Sequence, residues 1–139
     1  MIGSILVGKK PLVTVGTDTT VRQIAALLHE HRIGAVLVID ADHILGLVSE
    51  RDICRCLHTH GSGVQDLSAR DVMTSPVAVI DSHACVSDAM AIMTDRRFRH
   101  LPVVDDGKLL GMVSIGDLVK RRIEDAEAEA DSLKHYISS

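Results

Sequence analysis

The chain has 139 residues, 46% of them hydrophobic, enough for a compact domain with a real core. Nineteen acidic against fifteen basic residues leave a net charge of -4, which argues against a surface that gathers nucleic acid by bulk attraction. Phe98 and Tyr136 are the sole aromatics, which excludes a platform that holds single strands by stacking several bases. No apolar run approaches the roughly 20 residues of a membrane span. In "MIGSILVGKK" the charges follow the apolar stretch, against the order of a signal peptide. Three cysteines without framework spacing fit a reducing compartment, so the expected location is the cytoplasm.

Taken in chain order, "PLVTV" (11–15) is short, β-branched and proline-led, and predicts a strand. "TDTTVRQIAALLHEHR" (17–32) sets Val21, Ile24, Ala25, Leu27 and Leu28 on one helical face, with Thr19 or Thr20 as its cap. "AVLVID" (35–40) predicts a strand too apolar for an exposed sheet face. "ADH" then turns the chain into "ILGLVS" (44–49) as a hairpin, and Asp52 opens a second helix. "HTHGSGVQDLSAR" (58–70) is small and polar and predicts a linker, with 61–75 lying between the copies. The order then returns. "PVAVI" (76–80) predicts a strand, and "SHACVSDAMAIMTDRR" (82–97) a helix burying Val86, Ala89, Met90, Ile92 and Met93. "HLPVVD" and "LLGMVS" predict a hairpin turned by "DGK", and Asp117 opens the last helix. After Arg122, "IEDAEAEADSLKHYI" prolongs that helix, with a solvated or partner-facing extension over 124–139, fraying near Ser138.

The return is literal. A shift of 65 aligns 11–57 with 76–122 without a gap. Eleven pairs are identical: Pro11/Pro76, Val21/Val86, Ala26/Ala91, Arg32/Arg97, Val38/Val103, Asp40/Asp105, Leu45/Leu110, Gly46/Gly111, Val48/Val113, Ser49/Ser114 and Asp52/Asp117. Chance at ordinary residue usage gives roughly three. Two copies of one β-α-β-β-α unit, at 8–60 and 76–123, are the economical reading, an α/β (α+β) protein.

"GLVSERD" and "GMVSIGD" carry the chemistry. A Ser at the end of a strand and an Asp three residues on are an ordinary helix cap. Capping leaves the cationic company unexplained: Arg51 beside one Asp, Arg97, Arg99 and His100 at the mouth of the second copy, and Lys120, Arg121 and Arg122 after the other Asp. A carboxylate that accepts two vicinal hydroxyls, next to guanidinium groups that fork a phosphate, suits a nucleotide, and a helix start favours an anion.

In the combination of "DVMTSPVAV", "RFRHLPVVDDGKLLGMVSIGDLV" and "GLVSERDI", the chain resembles a tandem pair of cystathionine-β-synthase (CBS) domains, a Bateman module, over nearly all of residues 8–123. The resemblance implies two repeats related by a pseudo-twofold axis and a homodimer. It also implies adenine nucleotides (AMP, or ADP, ATP or NAD) bound without turnover in clefts between the repeats, with signalling to an unknown regulated protein. Asp52 and Asp117 would take the ribose hydroxyls, Ser49 and Ser114 phosphate or ribose, and Leu47 and Met112 the base. Arg51 and Arg121 would add phosphate contacts. Across from Asp52 the resemblance sets Val77, Ala78, Phe98, Arg99 and His100. Across from Asp117 it sets Lys10, Leu12, Ile33, Gly34 and Ala35. The Asp52 cleft has Phe98 and the denser cationic group, Arg99 and His100 where the other has Gly34 and Ala35, so it is expected to favour a phosphorylated ligand more strongly; Gly116, standing where the first copy has Arg51, departs from the phosphate grip of the second. A scaffold that only dimerises, its clefts vestigial, is the alternative.

The residues speak against two other chemistries. "CRCLHTH" offers Cys54, Cys56, His58 and His60, but on a helix only i and i+4 share a face, which splits the four ligands into opposite halves; no metal is expected. His29, His31, His43, His58, His60, His83 and His135 have no repeated partner, and no nucleophile, base and orienting group form a set, so no catalytic residue is assigned.

Overall fold

The computed structural model describes residues 1–138. The chain divides into two compact units, Pro11–Val77 and a second made of Met1–Lys10 with Ala78 onward.

In the first unit, β1 (Thr14–Val15) leads to α2 (Val21–His31), β2 (Ala35–Asp40), β3 (His43–Ser49) and α3 (Glu50–His60). β2 lies between β1, which it pairs in parallel, and β3, antiparallel to it. The central place explains its unbroken apolar run: Ala35, Val36, Leu37 and Val38 are all buried. Thr20 caps α2, accepting from Gln23 N while Gln23 returns a bond to Thr20 N. Val21, Ile24 and Leu28 are buried on α2; Ala25, expected on that face, is exposed and lines an open hollow beside Leu28. Ala41 and Asp42 turn the hairpin with positive φ, the backbone of a two-residue turn matched to strand twist.

The expected linker is folded. Gly61–Asp66 forms a 3-10 turn and Ala69–Val72 a short helix, α4, and Val64, Ala69 and Val72 are buried in the core with Val15, Val36 and Val48. Small polar composition signalled a linker, but three apolar side chains at wide spacing were enough to dock it.

In the second unit, α1 (Ile2–Ile5) precedes α5 (Val86–Arg96), β4 (His100–Asp105), β5 (Lys108–Ser114) and α6 (Ile115–Ser138). β4 and β5 form an antiparallel hairpin turned by Asp106 and Gly107, both at positive φ. The strand expected at 76–80 is a correction: only Ile80 pairs, bridging Val103. Directly after it, Ser82 bonds both oxygens of the Asp105 carboxylate at the end of β4, and the Ser82 hydroxyl holds Asp105 below the usual carboxylate pKa. On α5, Ala89 and Met93 are buried and Val86, Met90 and Ile92 half-buried, the expected face. Ile2 is fully buried with Leu101, Val103, Val113 and Leu118, which anchors the N-terminal decapeptide to this unit.

The identical pair Arg32/Arg97 ends α2 and α5 in the left-handed conformation, φ 54° and 58°. That backbone costs a non-glycine residue about 1 kcal/mol.

Candidate functional site

In both copies a β-strand ends on a serine and the next residue begins a helix. The amide of Glu50 donates to Gly34 O at 3.0 Å, and that of Ile115 to Arg99 O at 2.8 Å, so the mouth of the middle strand fixes each helix start. Ala35 pairs with Ser49 across one hairpin, His100 with Ser114 across the other.

At the first start, Ser49 N and Ser49 Oγ donate to Asp52 Oδ2 at 2.8 and 3.0 Å, and Asp52 N donates back to Ser49 Oγ at 3.2 Å. Asp52 Oδ1 accepts from Thr74 Oγ1 at 2.8 Å and pairs with Arg55 Nη2 at 2.9 Å. Both carboxylate oxygens are therefore engaged, and the side chain is 5% exposed. The residue named from sequence as a sugar ligand is here a buried joint between the helix start and the end of the unit.

The second start repeats the cap: Ser114 N donates to Asp117 Oδ2 at 2.8 Å and Asp117 N to Ser114 Oγ at 3.1 Å. Its outer partner differs. Lys9 Nζ bonds Asp117 Oδ2 and donates to Met112 O at 2.9 Å. Among the described residues nothing donates to Asp117 Oδ1, and the side chain is 27% exposed. Partial burial pushes the Asp117 carboxyl up, but the hydrogen bonds from Lys9 and Ser114 and the lysine charge outweigh it and hold the pKa below the ordinary value.

Asp117 opens on a polar cavity of about 240 Å³ lined by Ser4, Gly8, Lys9, Lys120, Arg121 and Glu124 among others. Arg121 Nη1 donates to Ser4 Oγ at 2.7 Å, and Arg121 Nε lies 3.9 Å from Glu124. Three cations, Lys9, Lys120 and Arg121, and two carboxylates, Asp117 and Glu124, thus share a hollow of this unit.

Ser114 meets Asp117 through the cap, Met112 O shares Lys9 with it, and Arg121 lines the same cavity; Lys9 is the residue that the sequence reading passed over for its neighbour Lys10. The signal was present: Lys9 stands 65 residues before Thr74, so the same offset supplies the outer partner of each Asp. Leu47 is buried and exchanges both backbone bonds with Thr74. Ile33 and Gly34 line a separate hollow of about 740 Å³ with Arg32, Glu50 and Cys54. Leu12 and Val77 are half-buried, Lys10, Arg51 and Arg99 exposed. Phe98 and Ala78 are half-buried and pack on the second unit's core. Cys56 is buried and Cys54 exposed on α3.

The glycines heading both loops have a visible reason. A Cβ on Gly46 would lie 2.5 Å from Met73 Sδ and 2.8 Å from its Cγ, and one on Gly111 3.0 Å from a Leu6 methyl. What comes close is the chain's own side chain.

A helix, a hairpin and a helix in both copies, each hairpin closing on a Ser-x-x-Asp helix start and the first copy alone carrying a leading strand, define a tandem-repeat α+β protein. The chain belongs to the CBS domain family, whose model matches residues 2–59 and 69–124; the two stretches take in α1 and α4. The mitochondrial CBS domain-containing protein CBSX3 of Arabidopsis thaliana is 32% identical over 126 residues, 87% of this chain; the chain spans 61% of that relative's length. The crystal structure of a CBS-domain containing protein from Agrobacterium tumefaciens matches with a TM-score of 0.83 and 39% identity, over 87% of this chain and 98% of that one. A CBS domain protein from Pyrobaculum aerophilum, solved in complex with AMP, matches with a TM-score of 0.73 and 30% identity, over 84% and 88%. Among the described residues no helix is long and apolar enough to cross a membrane.

Proposed function

We propose that the chain is a regulatory protein that binds AMP, or a related adenine nucleotide, in clefts shared by its two CBS repeats, and passes the binding to a partner as a conformational bias. Binding involves no turnover. The AMP complex of the Pyrobaculum relative supports the ligand class. The observation that carries the reading to this chain is the Asp117 hollow: a helix start, a carboxylate with Oδ1 open, and Lys9, Lys120 and Arg121 within one cavity. A ribose hydroxyl can donate to Oδ1 while Lys9 keeps Oδ2, and Lys120 is left for phosphate, with Arg121 once it releases Ser4. Aliphatic walls take the base, with Lys10, Leu12 and Ile33 to Ala35 proposed as the Asp117 partners and Val77, Ala78 and Phe98 to His100 as those of Asp52. A ligand that prefers one arrangement of the repeats shifts the population toward it, which a listening protein reads as differential affinity.

The expected order of the two sites reverses under this reading. A ribose at Asp52 must displace Thr74 or Arg55, whereas one at Asp117 displaces nothing. The saturated Asp52 is also the one observation that favours the alternative, a dimerisation scaffold with vestigial clefts.

Isothermal titration with AMP, ADP, ATP and NAD tests the proposal. The expected result is saturable binding of at least one, weakened tenfold or more by Asp117→Asn, which keeps the cap geometry and removes the charge. No heat with any of the four supports the scaffold instead.

A further inference from the structure

We infer that the outer part of α6 is one strand of a parallel two-stranded coiled coil, and that its partner is a second copy of this chain. Among its residues only Leu118 is buried, yet the helix continues for 24 residues, about 36 Å. Six of its exposed apolar residues, Val119, Ile123, Ala126, Ala130, Leu133 and Ile137, follow in steps of four and three in strict alternation, while Ala128 and Tyr136 lie off that stripe. That is the a/d seam of nearly three heptads, with Ile123, Ala130 and Ile137 at a and Val119, Ala126 and Leu133 at d. The four large members are between 43% and 81% exposed, a continuous apolar stripe on a helix whose other faces are charged. A shallow groove of about 440 Å³ opens along its first two turns, lined by Ile115, Gly116, Val119 and Ile123 with Lys120 and Glu124. Alanines in the middle heptad let two backbones approach closely.

The flanking charges select the occupant and its direction. Arg122 and Glu129 occupy g, Glu127 and Lys134 occupy e. In a parallel pair, g of one chain meets the next e of the other. Arg122 then meets Glu127 and Glu129 meets Lys134, each twice by symmetry, all four pairs attractive. An antiparallel pair in the same register puts Glu127 on Glu127, Glu129 on Glu129 and Lys120 on Lys134. Among the described residues, none of Arg122, Glu127, Glu129 and Lys134 forms an ion pair within the chain. These charges are free to meet a second copy.

Sedimentation equilibrium of the full chain at micromolar concentration tests this. The wild type is expected to associate, and Leu133→Glu/Ile137→Glu, altering exposed residues remote from either core, to weaken that association at least a hundredfold. Ala128→Glu, on the outer face, should leave it unchanged. Lys134→Glu alone should weaken association severalfold, and Glu129→Lys/Lys134→Glu should restore it. A monomeric wild type, or a mass untouched by the double glutamate variant, overturns the coiled coil. A stronger association of Lys134→Glu overturns the parallel direction, because in the antiparallel pair that change turns a repulsion with Lys120 into an attraction. Nucleotide binding is independent of these outcomes.

Discussion

The two helix starts differ less in their own residues than in what the rest of the chain brings to them. Both copies build the same cap from Ser, two intervening residues and Asp. Thr74 and Arg55 close over Asp52, neutral hydroxyl on one side and guanidinium on the other, until the carboxylate is buried. Lys9 reaches Asp117 by a long flexible stem and leaves one oxygen open. A copied motif therefore does not imply a copied role. One carboxylate is buried with both oxygens engaged, and the other keeps one oxygen open.

The largest test of that contrast is to remove each carboxylate. Asp52→Ala deletes a cap and strands Thr74, Arg55 and the Ser49 amide, at a cost of about 3 kcal/mol. Asp117→Ala deletes a cap at a half-exposed site, at about 1 kcal/mol. Urea unfolding curves of the two variants measure both; equal losses would show that burial of Asp52 carries no structural weight.

Next in size are the glycines. Gly46→Ala drives a methyl into the stem of Met73, at Cγ as well as Sδ, and overpacking of that kind costs about 2 kcal/mol. Gly111→Ala meets the tip of Leu6, which can turn aside, and should cost about half as much. Thermal midpoints of the two variants give the order, and a larger drop for Gly111→Ala would contradict it.

The smallest effect is on proton binding. Asp117 has its folded pKa depressed, so its contribution to stability is present above the ordinary carboxylate range near pH 4 and is lost as pH falls through the lower folded value. Lys9→Met removes a bond and a charge that lower it, so the carboxyl should titrate at higher pH. Carbon-13 NMR of the Asp117 carboxyl follows the shift directly; an unmoved titration would mean that Lys9 does not hold this group in solution.

Much of this protein was written along the chain. Period and turn chemistry located both hairpins and four of the helices, since alternation, helical spacing and turn residues are properties of neighbouring residues. The shift of 65 revealed the duplication because identity needs no coordinates. Local reading failed where the cause was distant. "PVAVI" has the composition of a strand, but it meets β4 through Ile80 alone, and composition does not report whether a neighbouring strand runs alongside. The 61–75 stretch has the composition of a linker, but buried Val64, Ala69 and Val72 fold it.

The sequence by itself determined the doubled unit, the element order and the Ser-x-x-Asp caps, because those interactions join residues three or four apart. Only the tertiary structure decided which carboxylate is closed and which is open. That choice is made by Thr74, 22 residues from Asp52, and by Lys9, 108 residues from Asp117. Hydrogen bonds across such separations exist only once the core has brought the segments together.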